Sequence, residues 1–414
     1  MRYFCMLFVA AVFLFISCKQ KPNNRQFVRD DKIQKEIQEK FILVEDGGTI
    51  ELPEGNFLLS KALSIEGKKN ITIKGKGRDK TILSFLGQTE GAEGINATGC
   101  TNITLQDFTI QDAKGDNIKL KACTNCTMRN LNSTWTTGVD SMNGNYGYYP
   151  VECHGVLIEK CEVSYCADAG VYVGQSYNVT VRNCVAHHNV CGIEIENCID
   201  VNVHDNYSHH NTGGFVIYDL PGLPMKNGKN CRIYNNKAEE NNFQNFAKPG
   251  SYVSDIPPGS GIIIMAYDSV EVFNNQFINH KTFGCCAVSY YAVGRKFTDS
   301  LYTPYATSVS IHNNTFKRKA LLVPDLTHDL GKLVLAMSKG PADIIYDGNY
   351  SKEMSNKDGT LQAQYKSCFR NNGDVKFFNL NAYKSPIIEN VLNTYDSNLS
   401  AFDCSVANIT GNKN

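Results

Sequence analysis

Residues 177–198 read YNVTVRNCVAHHNVCGIEIENC and residues 199–220 read IDVNVHDNYSHHNTGGFVIYDL. Laid over each other, these two 22-residue stretches put Val179 on Val201, Val181 on Val203 and His187-His188-Asn189 on His209-His210-Asn211. They also put Gly192 on Gly214, and Ile193 and Ile195 on Phe215 and Ile217. A fixed period of this length marks a solenoid, because each unit exposes an apolar face that only its neighbours can cover. The Val-x-Val and Ile-x-Ile pairs alternate with a period of two, which is the pattern of a strand and not of a helix. The unit is therefore one coil of a parallel β-helix.

The same frame extends well beyond the two copies. Its first strand recurs at Ile71, Ile103, Cys126, Val156, Val179, Val201, Cys231, Val270 and Val309. Four positions later stand Asp107, Asn130, Asn183, Asp205, Asn235, Asn274 and Asn313. Short amides and carboxylates suit a tight bend, where they tolerate left-handed backbone angles and bond neighbouring amides, so a stacked ladder is expected there. Where the spacing lengthens, the excess falls at 144–150, 221–228 and 294–306, after the strand equivalent to 193–196, and at 243–258, just before it. Insertions in repeat proteins gather on the binding face, which singles out one sheet.

If Ile193 and Ile195 point inward on that sheet, Glu194 and Glu196 point outward. The same parity predicts one outward column of Lys119, Asp140, Tyr172, Glu194, Val216, Ile263 and Val288. A second column reads Lys121, Met142, Gly174, Glu196, Tyr218, Met265 and Tyr290, with Gln175, Asn197 and Asp219 just past the strand. Tyrosine faces stack on sugar rings while charged groups bond hydroxyls or carboxylates, so this surface suits a hydroxyl-rich polymer. Asp140, Tyr172, Glu194 and Glu196 are the candidate catalytic residues. They offer acid and base for proton abstraction beside a uronate carboxylate, or two carboxylates for glycoside hydrolysis. Lys119, Lys121, Tyr146, Tyr149, Asp168, Gln175, Asn197, Tyr218 and Asp219 are the candidate substrate-binding residues. Set against this is the plainer reading that a solvated sheet simply carries charges.

Lys+Arg and Asp+Glu are both 41, so the chain has no bulk attraction for nucleic acid. An apolar run from Tyr3 to Ile16, too short for a membrane span, reads as a signal peptide over 1–17. Ser17-Cys18 before a polar stretch is similar to a bacterial lipoprotein cleavage site, with Phe15 where leucine is usual. Cys18 is therefore expected to carry lipid, making the membrane contact through the anchor alone, and 18–30 to be a linker. The protein is expected to be exported and held in the cell envelope, in the periplasm or on the outer membrane. Cys161 and Cys184 share a repeat position, which points to a buried stack of thiols. Cys123-x-x-Cys126 has no partner pair at zinc-finger distance, and the histidines of successive coils read as a solvated turn stack, so no metal site is assigned. No motif names a cofactor.

Ile33, Ile37 and Phe41 recur every four residues among charges, as in a short amphipathic helix placed to cover the first coil. Together with GGTIELPEG at 47–55, ITIKGKG at 71–77 and the Asn-rich coils, that order resembles the pectate-lyase-like superfamily. The resemblance implies an all-β, right-handed parallel β-helix over 31–320; beyond it the repeat register fades, and 321–414 reads as distorted coils and a C-terminal cap. The stretches 146–151, 168–176 and 192–197 further resemble a bacterial family of exported β-helix-repeat proteins. Its members are often lipoproteins and tend to be encoded beside a second exported protein. Tyr146-Gly147-Tyr148-Tyr149-Pro150-Val151 is similar to the Tyr-Gly-x-Asp-Pro-His motif of mannuronan C5-epimerases, but Tyr149 and Val151 replace its reactive Asp and His. The expected function is binding of a polysaccharide, with epimerase-like, lyase-like or hydrolytic modification if it is an enzyme. The alternative is a non-catalytic scaffold that docks a second exported protein on the same face.

Overall fold

The computed structural model describes residues 26–384, 388–406 and 409–411. The expected signal peptide and Cys18 lie outside the described residues. Each coil lays down three strands, and each strand pairs in parallel with its equivalents one coil away, giving stacked sheets of 11, 10 and 11 strands. The first sheet runs from Thr49–Glu51 to Cys368–Arg370, the second from Gly55–Leu58 to Thr315–Lys317, and the third from Lys61–Glu66 to Phe377–Asn379. The register is the one the repeat predicts, with Val179 beside Val201, Glu194 beside Val216 and Glu196 beside Tyr218. Past residue 320 the first and third sheets continue through Ala342–Tyr346, Cys368–Arg370 and Phe377–Asn379.

Helix α1 (Asp31–Leu43) covers the first coil, as its four-residue spacing predicts. Asp30 caps it by accepting from the backbone N–H groups of Lys32 and Ile33. Ile37 and Phe41 are 1% exposed, and the Gln34 amide oxygen accepts from the Ser60 N–H. Without this cover the terminal strand would present unpaired backbone groups to other chains. No helix among the described residues is long and apolar enough to cross a membrane.

The seven bend residues from Asp107 to Asn313 all have φ between +49° and +63°. The main coil-to-coil ladder, however, stands one residue later, at Asn206, Asn236, Asn275, Asn314 and Asn372. Each of the first four donates its backbone N–H to the side-chain oxygen of the next, at 2.9–3.0 Å. Each Nδ2 also donates to an interior carbonyl such as that of Val181, Val203 or Ile233. Cys184 and Cys161 occupy the same column one and two coils earlier, and the Cys184 N–H donates to Asn206. Thiol stack and amide ladder are thus one buried column. Twelve cysteines are free and buried, and among the described residues Cys368 and Cys404 form the one disulfide.

Two expectations need correction. The third-sheet strand of the fourth coil is Tyr148–Val151, which pairs with Ile118–Lys121, and the extra residues are 135–147. Asp140 and Met142 therefore lie in an exposed loop and not in the outward columns, where Tyr149 and Val151 stand instead. The reading missed this strand because Pro150 sits inside it, and proline argues against an interior strand. At the far end Cys286 and Val288 pair with Ile263 and Met265, so they hold the positions expected for Val288 and Tyr290.

Candidate functional site

The outward face of the third sheet divides into two halves. Over the apolar half, Val253 and Ile256 from the 243–258 insertion and Tyr290 and Tyr302 from the next long connection pack with Val216, Met265 and Val288. That half is roofed by the chain itself. The polar half, on the earlier coils, keeps Lys119, Tyr149 and Lys121 at the surface.

At the seam lie Glu194 and Glu196, pointing out of the β-helix as alternation predicts, yet 0% and 8% exposed. The Tyr218 hydroxyl is 2.5 Å from Glu194 Oε1 and 3.0 Å from Glu196 Oε2. The Tyr172 hydroxyl donates to Glu196 Oε1 at 2.9 Å. Tyr172 reaches Glu196 by lying over Gly174, where an added Cβ would come within 2.2 Å of its hydroxyl oxygen. Burial holds Glu194 well above the usual carboxylate range, with Asp168 adding to the effect, and burial raises Glu196 despite its two phenols. Glu194 Oε2 and Asp168 Oδ1 are buried without a hydrogen-bond partner.

Asp168 is pushed up to about 7 by burial, with Glu196 and Asp116 adding to the effect and the neighbouring Tyr146 hydroxyl opposing it. Tyr146, Tyr149 and Tyr172 form a cluster with ring centroids 4.5–4.9 Å apart. Lys119 Nζ sits 5.1 Å from the centre of the Tyr149 ring and 3.4 Å from Glu93. The cluster thus joins a ring platform, the Lys119 cation over one of its rings and a pair of linked carboxyls at its floor.

Three predicted site residues are placed elsewhere. Asp140 is in the exposed loop, where its carboxylate accepts from the Met142 N–H. Asn197 is buried and ties down the 221–228 turn through the carbonyls of Leu220 and Met225. Asp219 is buried and accepts from the N–H groups of Asn227 and Gly228, with burial pushing it up to about 7. Gln175 adopts φ +48° at the end of its strand. Parity reasoning missed Asp116 and Cys191, and at Cys191 the cause is a glycine corner. A Cβ on Gly192 would meet interior atoms, Ser208 Oγ at 2.2 Å and Asn211 Nδ2 at 2.9 Å, so the alternation breaks there. Cys191 consequently joins the outer cluster although Ile193, two residues on, is in the inner core. Asp116 is pushed up to about 6 by burial and accepts from the Tyr146 N–H.

The histidines do stack, at 5.2 Å for His187 on His209 and 5.6 Å for His188 on His210. Among the described residues no group of three or more His, Cys, Asp or Glu side chains is arranged to hold a metal ion.

Residues 93–238 match the family model described as right handed beta helix region. With the three stacked parallel sheets, this makes the fold a right-handed parallel β-helix. The chain is 25% identical over 216 residues to the pre-neck appendage protein of Bacillus phage B103, covering 44% of this chain and 25% of that protein. It therefore spans about a quarter of the length of the curated relatives it matches. Among solved structures it is similar to the A-module of the Azotobacter vinelandii mannuronan C-5 epimerase AlgE6, at 14% identity and a TM-score of 0.46, covering 83% of this chain and 90% of that one. It is also similar to DFA-IIIase from Arthrobacter chlorophenolicus A6, at 11% identity and a TM-score of 0.45, covering 84% and 97%.

Proposed function

We propose that the protein binds an acidic polysaccharide on the polar half of the third sheet and modifies it by proton transfer at Glu196. The observation that carries this reading is the seam itself. A carboxyl with two phenol donors lies beside a three-tyrosine platform with Lys119 over one of its rings. Abstraction of a proton next to a uronate carboxylate needs that carboxylate neutralised, which Lys119 and Lys121 supply, and a base whose affinity for protons is raised, which burial gives Glu196. Tyr172 is placed to return a proton. Hydrolysis by two carboxyls fits less well, because Glu194 is sealed from any substrate at 0% exposure.

The test is incubation of the purified protein with polymannuronate, polygalacturonate and a neutral glucan in deuterium oxide. Deuterium entering at the carbon beside the carboxylate, or new unsaturated ends, is expected for an acidic polymer and not for the glucan. Glu196→Gln should abolish either product while retaining binding, and Lys119→Ala should weaken binding. No retention and no product on any polymer would sink the proposal. Co-purification with a second exported protein through this face would then favour the scaffold reading. We further propose envelope anchoring through Cys18; Cys18→Ala should abolish labelling by a fatty-acid analogue.

A further inference from the structure

The Tyr218 hydroxyl owns one hydrogen but has a carboxyl oxygen on each side, at 2.5 Å from Glu194 and 3.0 Å from Glu196. Were both glutamates ionised, one of these contacts would set lone pairs against lone pairs at hydrogen-bond distance. One proton more than the phenol's own is needed, and the surroundings say which carboxyl holds it. Glu196 keeps 8% of its surface exposed and already receives the Tyr172 hydrogen. Glu194 has no exposed area, its second oxygen accepts no well-formed hydrogen bond, the Cys191 thiol beside the carboxyl is only a weak donor, and among the described residues no Lys, Arg or His pairs with it. The ionisable groups around it are Asp168, Tyr218, Glu196 and Cys191, with Tyr146 and Tyr172 a little further off. An ionised carboxylate in that setting would be a buried charge without a counter-ion.

We propose that Glu194 is carried as the neutral acid and donates its proton to the Tyr218 oxygen, so that the Tyr218 hydrogen is aimed permanently at Glu196. Both phenols then point at one carboxylate. Glu194 is a positioning residue: it touches no substrate, and its proton decides that Glu196 is the charged partner and therefore the base. The assignment of Glu196 as base rests on the functional reading above; the protonation of Glu194 does not.

The inference is tested without any substrate. In the infrared spectrum at neutral pH, the carbonyl band of a protonated carboxylic acid should be present in the wild type and in Asp168→Asn, and one such band should be missing from Glu194→Gln. A proton held by the folded chain and released on unfolding costs stability as pH rises. The melting temperature of Glu194→Gln should therefore gain on the wild type from about pH 4.3, the ordinary range of a free glutamate, upward. Identical spectra and parallel melting curves would overturn the proposal. Should Glu194→Gln not fold, Tyr218→Phe gives a second readout: the acid band persists but shifts in frequency, and its complete loss would count against a neutral Glu194. If the band appears as expected while no polysaccharide is altered, the functional reading fails and the proton assignment stands.

Discussion

Asp168 is the residue through which pH should act on this site. Burial raises it to about 7, whereas a free aspartate titrates near 3.9, so the folded chain holds a proton that the unfolded chain does not. Its contribution to stability is full below about pH 4 and is lost as pH rises through about 7. Ionisation over the same range adds a negative charge under the tyrosine platform. Affinity for an acidic polymer, measured by calorimetry, should consequently fall as pH passes through 7, and Asp168→Asn should flatten that fall. Gly174 works by what it lacks. An alanine there would place a methyl 2.2 Å from the Tyr172 hydroxyl oxygen, and the ring would have to leave Glu196. Gly174→Ala should lower stability by about 1–3 kcal/mol in denaturant titrations and should abolish any activity that depends on the Tyr172–Glu196 bond.

At the scale of the element, the buried asparagine column does for the turns what the sheets do for the strands. Asn236 donates to the carbonyl of Val203 and to Asn275, and accepts from the backbone of Asn206, all with 2% of its surface exposed. Removing the amide in Asn236→Ala strands partners on the two neighbouring coils, and a loss of about 1–3 kcal/mol per unsatisfied group is expected in urea titrations. The insertions have the opposite character. They are held in shape by their own side chains, such as Asn245, which donates to the carbonyls of Val253 and Ile256 within the same insertion. Their apolar residues roof Val216 and Met265, and so confine the open site to the earlier coils. A period of 22 residues tells where such insertions are attached, but not which way they fold. That direction depends on apolar partners far apart in sequence, such as Ile256 against Gly213, where an added Cβ would lie 2.9 Å from the isoleucine methyl.

For the whole molecule, stability comes from stacking, so the ends matter more than their length suggests. Phe41→Ala in α1 should cost about 3–5 kcal/mol, and light scattering should show self-association as the first coil loses its cover. What the sequence determined by itself was everything that repeats. Val179 over Val201, the left-handed bends from Asp107 to Asn313 and the outward sense of Glu194 and Glu196 follow from local alternation and turn chemistry, which each coil states again. It failed where the repeat breaks: Pro150 hid a strand and displaced Asp140, and the Gly192 corner hid Cys191. Only the tertiary structure decided that Asn197 and Asp219 are buried in the turn, that Glu194 is sealed, and that Tyr218 bridges two carboxyls. The physical reason is that burial and hydrogen-bond partners are set by contacts between coils and insertions, whereas the period of a strand is set within a few residues of chain.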